Sequence, residues 1–268
     1  MRALDKQVIH LRGVHETAIV HPGAQLGKDV EIGPYSIIGG NVVIDDGTKI
    51  GPHVVIDGWT TIGKNCKIYT GACIGHEPQD LKFQGEKSYL VIGDNVIIRE
   101  YATIERGTEG GGGQTRIGDG TLIMTHCHIA HDCYVGNKVI VVTGTALGGH
   151  VVVEDRAVIG GKSAVHQFVK IGKIAMVGAG TKVVKDVPPY VTIDGNPARV
   201  CGINIVGLRR NGVPPNIRAE IRKAYKLLYR SNLNVSQAIE QMNQELESSG
   251  ELDHFLRFLR SAERGVSR

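Results

Sequence analysis

The most regular feature of the sequence is an aliphatic residue at every sixth position. The pattern occupies residues 14–74, resumes in the same phase over residues 92–104, and continues over residues 117–183 after a slip of one residue. A period of six fits neither an amphipathic helix nor simple strand alternation. It is typical of a solenoid in which each hexad forms one short strand and one turn, so that three hexads complete a triangular coil.

The same pattern predicts how each coil is filled. The aliphatic residues point inward, and the residue two positions before each of them, for example Ser36, Thr48 or Cys127, must be small to share the interior. Glycine often follows the aliphatic residue, and we expect it to relieve the corners, where a Cβ atom would be strained. Residues 14–184 have room for about nine coils, which gives a prism on the order of 40 Å long at ~4.8 Å per coil.

Two segments interrupt the repeat. Residues 75–91 keep its phase but place Asp80 and Glu86 where aliphatic residues belong. Residues 105–116 break the phase and contain four consecutive glycines, which predicts a mobile loop. Loops that project from a rigid scaffold commonly carry specificity.

The chain changes character after the last repeat. A turn-rich segment leads to Pro214 and Pro215, which open a first predicted helix, and further helices are expected at about residues 235–247 and 251–264. We therefore assign residues 1–195 to the prism and residues 196–268 to a connecting segment and a helical domain.

Composition narrows the class of protein. Aromatic residues are only 5% of the chain while glycine reaches 36 residues, which favours a repetitive, turn-rich fold. Five cysteines without framework spacing fit a reducing cytosol, and no stretch reads as a signal peptide or membrane span, so we predict a cytoplasmic protein. A net charge of +4 is too small to indicate nucleic acid but is compatible with an acidic partner.

The candidate chemistry is concentrated in residues 125–133, THCHIAHDC. Residues one coil apart stack along the prism, which places Gly149 above His131 and His150 above Asp132. A base beside a backbone donor, followed by an acid, is suited to acyl transfer. Spacing alone fits an exposed surface histidine equally well.

The spacing of residues also suggests two other kinds of site, a zinc site and a phosphate-binding loop. A zinc site would draw on His126, His128 and His131, as in hexapeptide-repeat carbonic anhydrases, but one strand and one corner cannot make them converge without a ligand from another chain. The run IGGKS at residues 159–163 resembles the end of a phosphate-binding loop, which fails because Arg156 stands where its first glycine belongs.

The motifs together resemble one family closely, the UDP-N-acetylglucosamine O-acyltransferases of lipid A biosynthesis. They are QDLKF (79–83), RGT (106–108), HIAHDC (128–133), GGHV (148–151), AVHQF (164–168), DVPPYV (186–191), GLRRNG (207–212) and AYKLLYRS (224–231). Single hexad motifs occur in many acyltransferases, but this combination with the tail is specific. The resemblance implies a mainly β protein, a left-handed parallel β-helix with a C-terminal α-helical domain, assembled as a homotrimer with sites between the prisms.

The resemblance also implies residue roles. A 3-hydroxyacyl chain would pass directly from acyl carrier protein to the 3-hydroxyl of UDP-N-acetylglucosamine, with no covalent intermediate, cofactor or metal. His131 would be the general base, Asp132 would orient it, and the Gly149 amide would stabilise the oxyanion. Ala179 matches the position that limits acyl length, where a small side chain favours a longer chain. The positions that match substrate contacts are Asp80, Lys82, His128, His150, His166, Gln167, Asn204 and Arg210.

The chain departs from the family pattern in places. Glu105 replaces the histidine common in its motif, and Val206 and Asn211 replace a glutamate and an arginine expected near the nucleotide. Thr143-Gly144 replaces paired asparagines at an interior or corner position.

Other activities stay open at this point. A 3-amino sugar suits the same base, and a later N-acyltransferase of the pathway normally carries an extra N-terminal domain, for which only about 13 residues precede the repeats here. A metal-dependent hydratase or a non-catalytic scaffold are the alternatives of another class. A basic face on the first tail helix fits either an acidic carrier protein or plain solvent; its residues are Arg218, Arg222, Lys223, Lys226 and Arg230.

Overall fold

The computed structural model describes residues 13–267, which form a three-sided prism followed by four α-helices. The strands are β1 Ile19–Val20, β2 Gln25–Leu26, β3 Glu31–Ile32, β4 Ile37–Ile38, β5 Val43–Ile44, β6 Lys49–Ile50, β7 Val55–Ile56, β8 Trp59–Ile62, β9 Lys67–Ile68, β10 Cys73–His76, β11 Tyr89–Ile92, β12 Ile97–Ile98, β13 Thr103–Glu105, β14 Gln114–Ile117, β15 Leu122–Ile123, β16 His128–Ile129, β17 Tyr134–Val135, β18 Ile140–Val141, β19 Ala146–Leu147, β20 Val152–Val153, β21 Val158–Ile159, β22 Ala164–Val165, β23 Lys170–Ile171, β24 Met176–Val177, β25 Lys182–Val183, β26 Val191–Asp194 and β27 Arg199–Ile203. The helices are α1 Ile205–Arg210, α2 Pro215–Tyr229, α3 Val235–Glu245 and α4 Gly250–Arg260, with a 3₁₀ turn at Glu109–Gly111.

The strands pair with those of the next coil and form three parallel sheets. One sheet has nine strands, from β1 to β25, a second has eight, from β2 to β23, and the third has ten because the antiparallel strand β27 closes it. In regular stretches the register advances by one coil, so that Ile19 lies opposite Ile37 and Ile140 opposite Val158. These sheets confirm the six-residue period.

The prism interior is filled by the predicted aliphatic residues together with hydroxyl groups. Thr48 Oγ1 and Thr121 Oγ1 each donate a 2.8 Å hydrogen bond to a carbonyl oxygen of the following coil, so these buried polar groups are paired. The expectation that this second inward position must be small was wrong, because Val42 and Val54 occupy it fully buried. Two β-branched side chains can therefore share one side of a coil.

The corners also differ from expectation. Several corner residues with large side chains adopt a left-handed backbone, among them Asp132 at φ 58° and His150 at φ 61°. Such a conformation costs about 1–2 kcal/mol for a non-glycine residue. Glycine is needed instead where coils approach closely, since a Cβ atom on Gly33 would lie 2.7 Å from the carbonyl carbon of Gly51.

The two interruptions are insertions of different length. Thr103 pairs with Cys73, 30 residues earlier, and His128 pairs with Thr103, 25 residues earlier, whereas regular pairs are 18 apart. The number of residues added by the first insertion is a multiple of six, so the repeat keeps its phase. The number added by the second insertion exceeds a multiple of six by one. This explains the slip in the repeat.

The helical tail packs on the end of the prism. The three predicted helices are confirmed as α2, α3 and α4, whereas α1 and the β26–β27 hairpin were not predicted. A second apolar core joins the helices to the last coils and includes Met242, Phe255 and Tyr190. Within residues 13–267, no helix combines the length and apolarity that a bilayer crossing requires.

Candidate active site

His131 and Asp132 form a tight pair at one corner of the prism. Nδ1 of His131 lies 2.8 Å from Oδ2 of Asp132, whose side chain is fully buried. Because the carboxylate accepts a hydrogen bond from Nδ1–H, the neutral ring carries its lone pair on Nε2. Nε2 makes no hydrogen bond to any residue of the described chain. The pair is therefore arranged as a histidine base with an orienting acid.

Thr108 fixes the carboxylate of this pair. Its backbone N–H donates to Asp132 Oδ1 at 2.8 Å, and its hydroxyl donates to Oδ2 at 2.7 Å. Thr115 Oγ1 accepts the Asp132 backbone N–H at 2.8 Å. The segment that we expected to be a mobile loop is thus tied to the site at its centre. Thr108 was missed because its partner lies 24 residues away, across an irregular insertion.

Gly149 lies directly against the His131 ring, as the stacking of coils predicts. The backbone N–H of His150 donates to the carbonyl of His131 at 3.0 Å, which locks the two coils in register. A Cβ atom on Gly149 would lie 2.7 Å from Nε2 and Cε1 of His131. Glycine is therefore required for the free edge of the ring to rest beside this stretch of backbone.

His150 extends the site along the prism. Its ring stacks on Phe168 at a centroid distance of 4.4 Å and meets His131 edge-on at 5.1 Å. Burial lowers the pKa of His150, and the nearby Asp132 carboxylate only partly offsets this effect. His150 is consequently neutral near pH 7. Phe168 received no role from the sequence, although it ends the AVHQF motif.

A groove of about 940 Å³ opens beside these residues. Asp80 and Lys82, from the first insertion, line it together with His150 and Phe168, and Thr108 contributes from the second insertion. Of the predicted histidines, His150 is the one that lines this groove with Asp80 and Lys82. The volume of the groove falls within the range of about 300–1,000 Å³ typical of small-molecule sites.

A second histidine and a second carboxylate lie next to the pair, His128 on β16 and Glu105 at the end of the adjacent strand β13. His128 Nδ1 is 2.8 Å from Thr103 Oγ1, and His128 Nε2 is 3.9 Å from Glu105 Oε1. The other carboxylate oxygen of Glu105 accepts the backbone N–H of His131 at 3.2 Å. Glu105 is 3% exposed, so the position where the chain departs from the family pattern lies inside the site.

The remaining predicted residues lie outside this groove within one chain. His166 and Gln167 are exposed on the next coil, and Ala179 is exposed on the coil after that. Asn204 caps α1 by accepting the Gly207 N–H at 2.8 Å, and Arg210 is exposed in the last turn of the same helix. The structure of a single chain does not bring these five residues to the groove.

His126 is one of the three histidines of the zinc site that spacing suggested. Its ring stacks on Tyr101 at 5.3 Å instead of turning toward His128 and His131. The side-chain ligand atoms of His131, Asp132 and His150 do lie within 4.8 Å of one another. In that group the carboxylate already accepts two hydrogen bonds from Thr108 and one from His131.

Comparison with known proteins shows the family to which the chain belongs. Residues 186–267 match the family model for domain 2 of UDP-N-acetylglucosamine O-acyltransferase, and residues 14–46 and 41–76 match bacterial transferase hexapeptide repeats. An acyl-[acyl-carrier-protein]–UDP-N-acetylglucosamine O-acyltransferase from Anaeromyxobacter dehalogenans is 47% identical over 95% of the chain and 99% of the relative. The chain belongs to the UDP-N-acetylglucosamine O-acyltransferase family. A relative of the same name from Pseudomonas entomophila is 46% identical over 96% of the chain and all of its own length.

Solved structures agree with this membership. The UDP-N-acetylglucosamine acyltransferase of Bacteroides fragilis superposes with a TM-score of 0.92 at 41% identity, over 95% of this chain and 99% of the other. The Francisella novicida enzyme of that name gives 0.91 at 39% identity, over 95% and 94%. The prism is accordingly a left-handed parallel β-helix, as the sequence resemblance implied.

Proposed function

We propose that this member of the O-acyltransferase family transfers a 3-hydroxyacyl chain from acyl carrier protein to the 3-hydroxyl of UDP-N-acetylglucosamine, the first step of lipid A synthesis. The observation that carries the assignment of the base is the His131–Asp132 pair with its free Nε2 beside Gly149. A thioester is already activated, so the reaction needs a positioned base and oxyanion donor.

His131, Gly149 and Asp132 can supply the proton transfers and the oxyanion contact that this reaction requires. Nε2 of His131 takes the proton of the sugar hydroxyl as its oxygen attacks the thioester carbon. The Gly149 N–H, which makes no hydrogen bond within residues 13–267, donates to the oxyanion that forms. Collapse expels the carrier's thiolate, which recovers the proton from the His131 ring. Asp132 stabilises the imidazolium between the two proton transfers.

The acceptor fits the groove in size and charge. Lys82, projecting from the first insertion, is suited to the phosphates of a nucleotide sugar. Neutral His150 and the adjacent Phe168 ring offer a hydrogen-bonding edge beside an apolar face.

The donor's protein partner is assigned to the basic side of the tail. A hollow of about 350 Å³ between α1 and α2 is lined by Arg209, Arg218, Arg222, Lys223 and Lys226. Such a surface favours an acidic partner through charge complementarity.

A homotrimer is part of the proposal, because five predicted residues lie away from the groove of their own chain. Outward-facing residues in one sheet form an apolar stripe in register, which suits a contact between prisms. The stripe consists of Ile97, Leu122, Ile140, Val158 and Met176. His166, Gln167, Ala179, Asn204 and Arg210 would then complete a neighbour's site. A cytoplasmic location, where the carrier protein would be met, stays a prediction.

The deciding experiment is an acyl-transfer assay on the purified protein with UDP-N-acetylglucosamine and 3-hydroxyacyl carrier proteins of several chain lengths. Mass spectrometry should find the acyl group on the sugar 3-oxygen, with unchanged rates after EDTA treatment. The preferred length tests the expectation at Ala179.

Two outcomes would change the proposal. Product formed only with the 3-amino sugar would replace the acceptor and keep the base. Activity lost with EDTA and restored by Zn²⁺ would instead assign the cluster of His131, Asp132 and His150 to a metal.

A further inference from the structure

Glu105 holds a buried carboxylate oxygen that lacks a hydrogen bond. Oε2 accepts the His131 N–H, but Oε1 is inaccessible to solvent and has no hydrogen-bond partner among the described residues. A buried carboxylate oxygen without a donor is costly. The nearest ionisable donor across from it is Nε2 of His128, at 3.9 Å.

His128 is placed to supply that donor. Its Nδ1 already meets Thr103 Oγ1 at 2.8 Å, and about a third of its side chain, 31%, remains exposed. A hydrogen bond between Nε2 and Oε1 requires the 3.9 Å separation to shorten to about 3 Å. With protons on both nitrogens, the ring would bond to Thr103 and Glu105 at once.

We propose that Glu105 is a positioning residue that keeps His128 protonated, so that the site contains one charged and one neutral histidine with different tasks. His131 is the neutral base, oriented by Asp132. His128 is the cation beside it, fixed by Glu105 and available to the acyl donor or to the charge that develops on the thioester. This inference rests on the proposed function, because it takes His131 as the base.

Charged and titratable groups surround Glu105 on several sides. His76 of β10 lies opposite Glu105 in the sheet, and Cys133 lies close behind it. Arg106 is directed elsewhere: it donates to the Gly75 carbonyl, pairs with Glu77 at 3.6 Å and stacks over Phe83. Asp132 is already committed to His131 and Thr108. Nε2 of His128, at 3.9 Å, is therefore the ionisable nitrogen of the described residues that approaches the free oxygen.

The test is the pH dependence of kcat/KM in Glu105→Gln. Glutamine can still accept the His131 N–H, so the variant removes the charge while keeping the shape. The base requires a neutral His131, which sets the acidic limb; the protonated His128 sets the alkaline limb. We expect the alkaline limb to move about one pH unit lower in Glu105→Gln, with the acidic limb unchanged.

A double-mutant cycle makes the test specific. In a His128→Ala background, Glu105→Gln should have no further effect on the alkaline limb, because its partner is gone. Glu77→Gln is the matched control: this exposed carboxylate pairs with Arg106 and with neither Glu105 nor His128, so the profile should stay unchanged.

Several results would overturn the inference. A Glu105→Gln profile that matches the wild type, or one lowered equally at every pH together with the unfolding temperature, would leave Glu105 a structural residue. If Glu105→Gln does not fold, Glu105→Asp decides: retention of the alkaline limb supports the charge pair, and its loss contradicts it. Full activity in His131→Ala would instead contradict the proposed function, whatever Glu105 does.

Discussion

Two histidine–carboxylate pairs with nearly the same separation serve different ends in this molecule. His131 lies 2.8 Å from Asp132 within the prism, and His254 lies 2.7 Å from Glu154 where α4 meets the prism. The first carboxylate is held by Thr108, and Nε2 of His131 stays open beside Gly149. The second pair joins two elements, and the distance alone would not tell them apart.

The neighbours of the second pair explain its role. Lys173 donates to both carboxylate oxygens of Glu251 at 2.8 and 2.9 Å, and the Tyr190 hydroxyl donates to the same carboxylate. Burial raises the pKa of Tyr190 far above its usual range, so it stays a donor. A histidine can act as a base when its second nitrogen is open to a bound ligand. The pairs of His254 with Glu154 and of Glu251 with Lys173 and Tyr190 instead fasten the tail to the prism.

The largest effect should come from His131→Ala. Loss of a general base commonly lowers turnover by about 10²–10⁴-fold, and we expect about 10³ here. The folded assembly should keep its size by light scattering and its unfolding temperature. His254→Ala is the matched control, and it should retain turnover while weakening the tail. Near wild-type turnover in His131→Ala would remove the base assignment.

Gly149→Ala should rank next, because its Cβ atom would meet the His131 ring at 2.7 Å. Displacing the ring from the oxyanion donor should lower kcat by roughly 10²-fold, with little change in KM for the sugar nucleotide. Gly202→Ala, at a position with nothing within 4 Å of a new Cβ atom, is the control. An equal loss of kcat in both variants would mean that the contact between the new Cβ atom and the His131 ring is not the cause.

Thr108→Val should have a moderate effect. It removes the hydroxyl bond to Asp132 Oδ2 and leaves the backbone bond to Oδ1. A hydrogen bond to a charged group is worth about 1.5–3 kcal/mol, so steady-state kinetics should show a loss of about tenfold or more in kcat. Thr143→Val, at an exposed corner, should be silent. An unaffected Thr108→Val enzyme would show that Asp132 needs no anchor.

The smallest expected change concerns stability at the tail. Burial raises the pKa of Glu251, but hydrogen bonds from Lys173 and Tyr190 outweigh it and lower the pKa below its usual 4.5. A lowered folded-state pKa means that the stabilisation is present above about pH 4.5 and is lost as the pH falls through the folded value. Glu251→Gln should lower stability near pH 7 by about 1 kcal/mol, or roughly 2–4 °C.

Calorimetry between pH 3.5 and 7 checks this expectation. The difference between wild type and Glu251→Gln should shrink toward acid pH, while kcat at pH 7 stays unchanged. Glu240→Gln, an exposed carboxylate on α3, is the control. A difference that persists at pH 3.5 would place the effect in packing and not in charge.

The prism could be predicted from the sequence because its contacts follow a fixed interval. The stacking of Gly149 on His131 and of His150 on Asp132 came from counting one coil, and the structure confirms both. The same counting failed across insertions: Thr108 reaches Asp132 over 24 residues and Glu105 reaches His131 over 26. No period connects those pairs, so their meeting depends on how each insertion folds.

Side-chain size and backbone strain set the other limits. Valine in the interior and left-handed corners at Asp132 and His150 contradict expectations drawn from single residues, because neighbouring coils stabilise what an isolated turn would not. Helix α1 is only six residues long, too short for apolar spacing to reveal it. Asn204 and Arg210 lie away from the groove of their own chain, and spacing in one chain carries no information on the second chain that we propose would bring them to a site.

The position of the site along the prism has a consequence for its dynamics. In a solenoid each coil is stabilised by the coils on either side, so unfolding begins at the ends and moves inward. Strand β16, which carries His128, is the sixth of nine in its sheet, far from both ends. Amide protons around the site should therefore be among the last to exchange with solvent water, so that the first strands can fray while the catalytic coil stays intact.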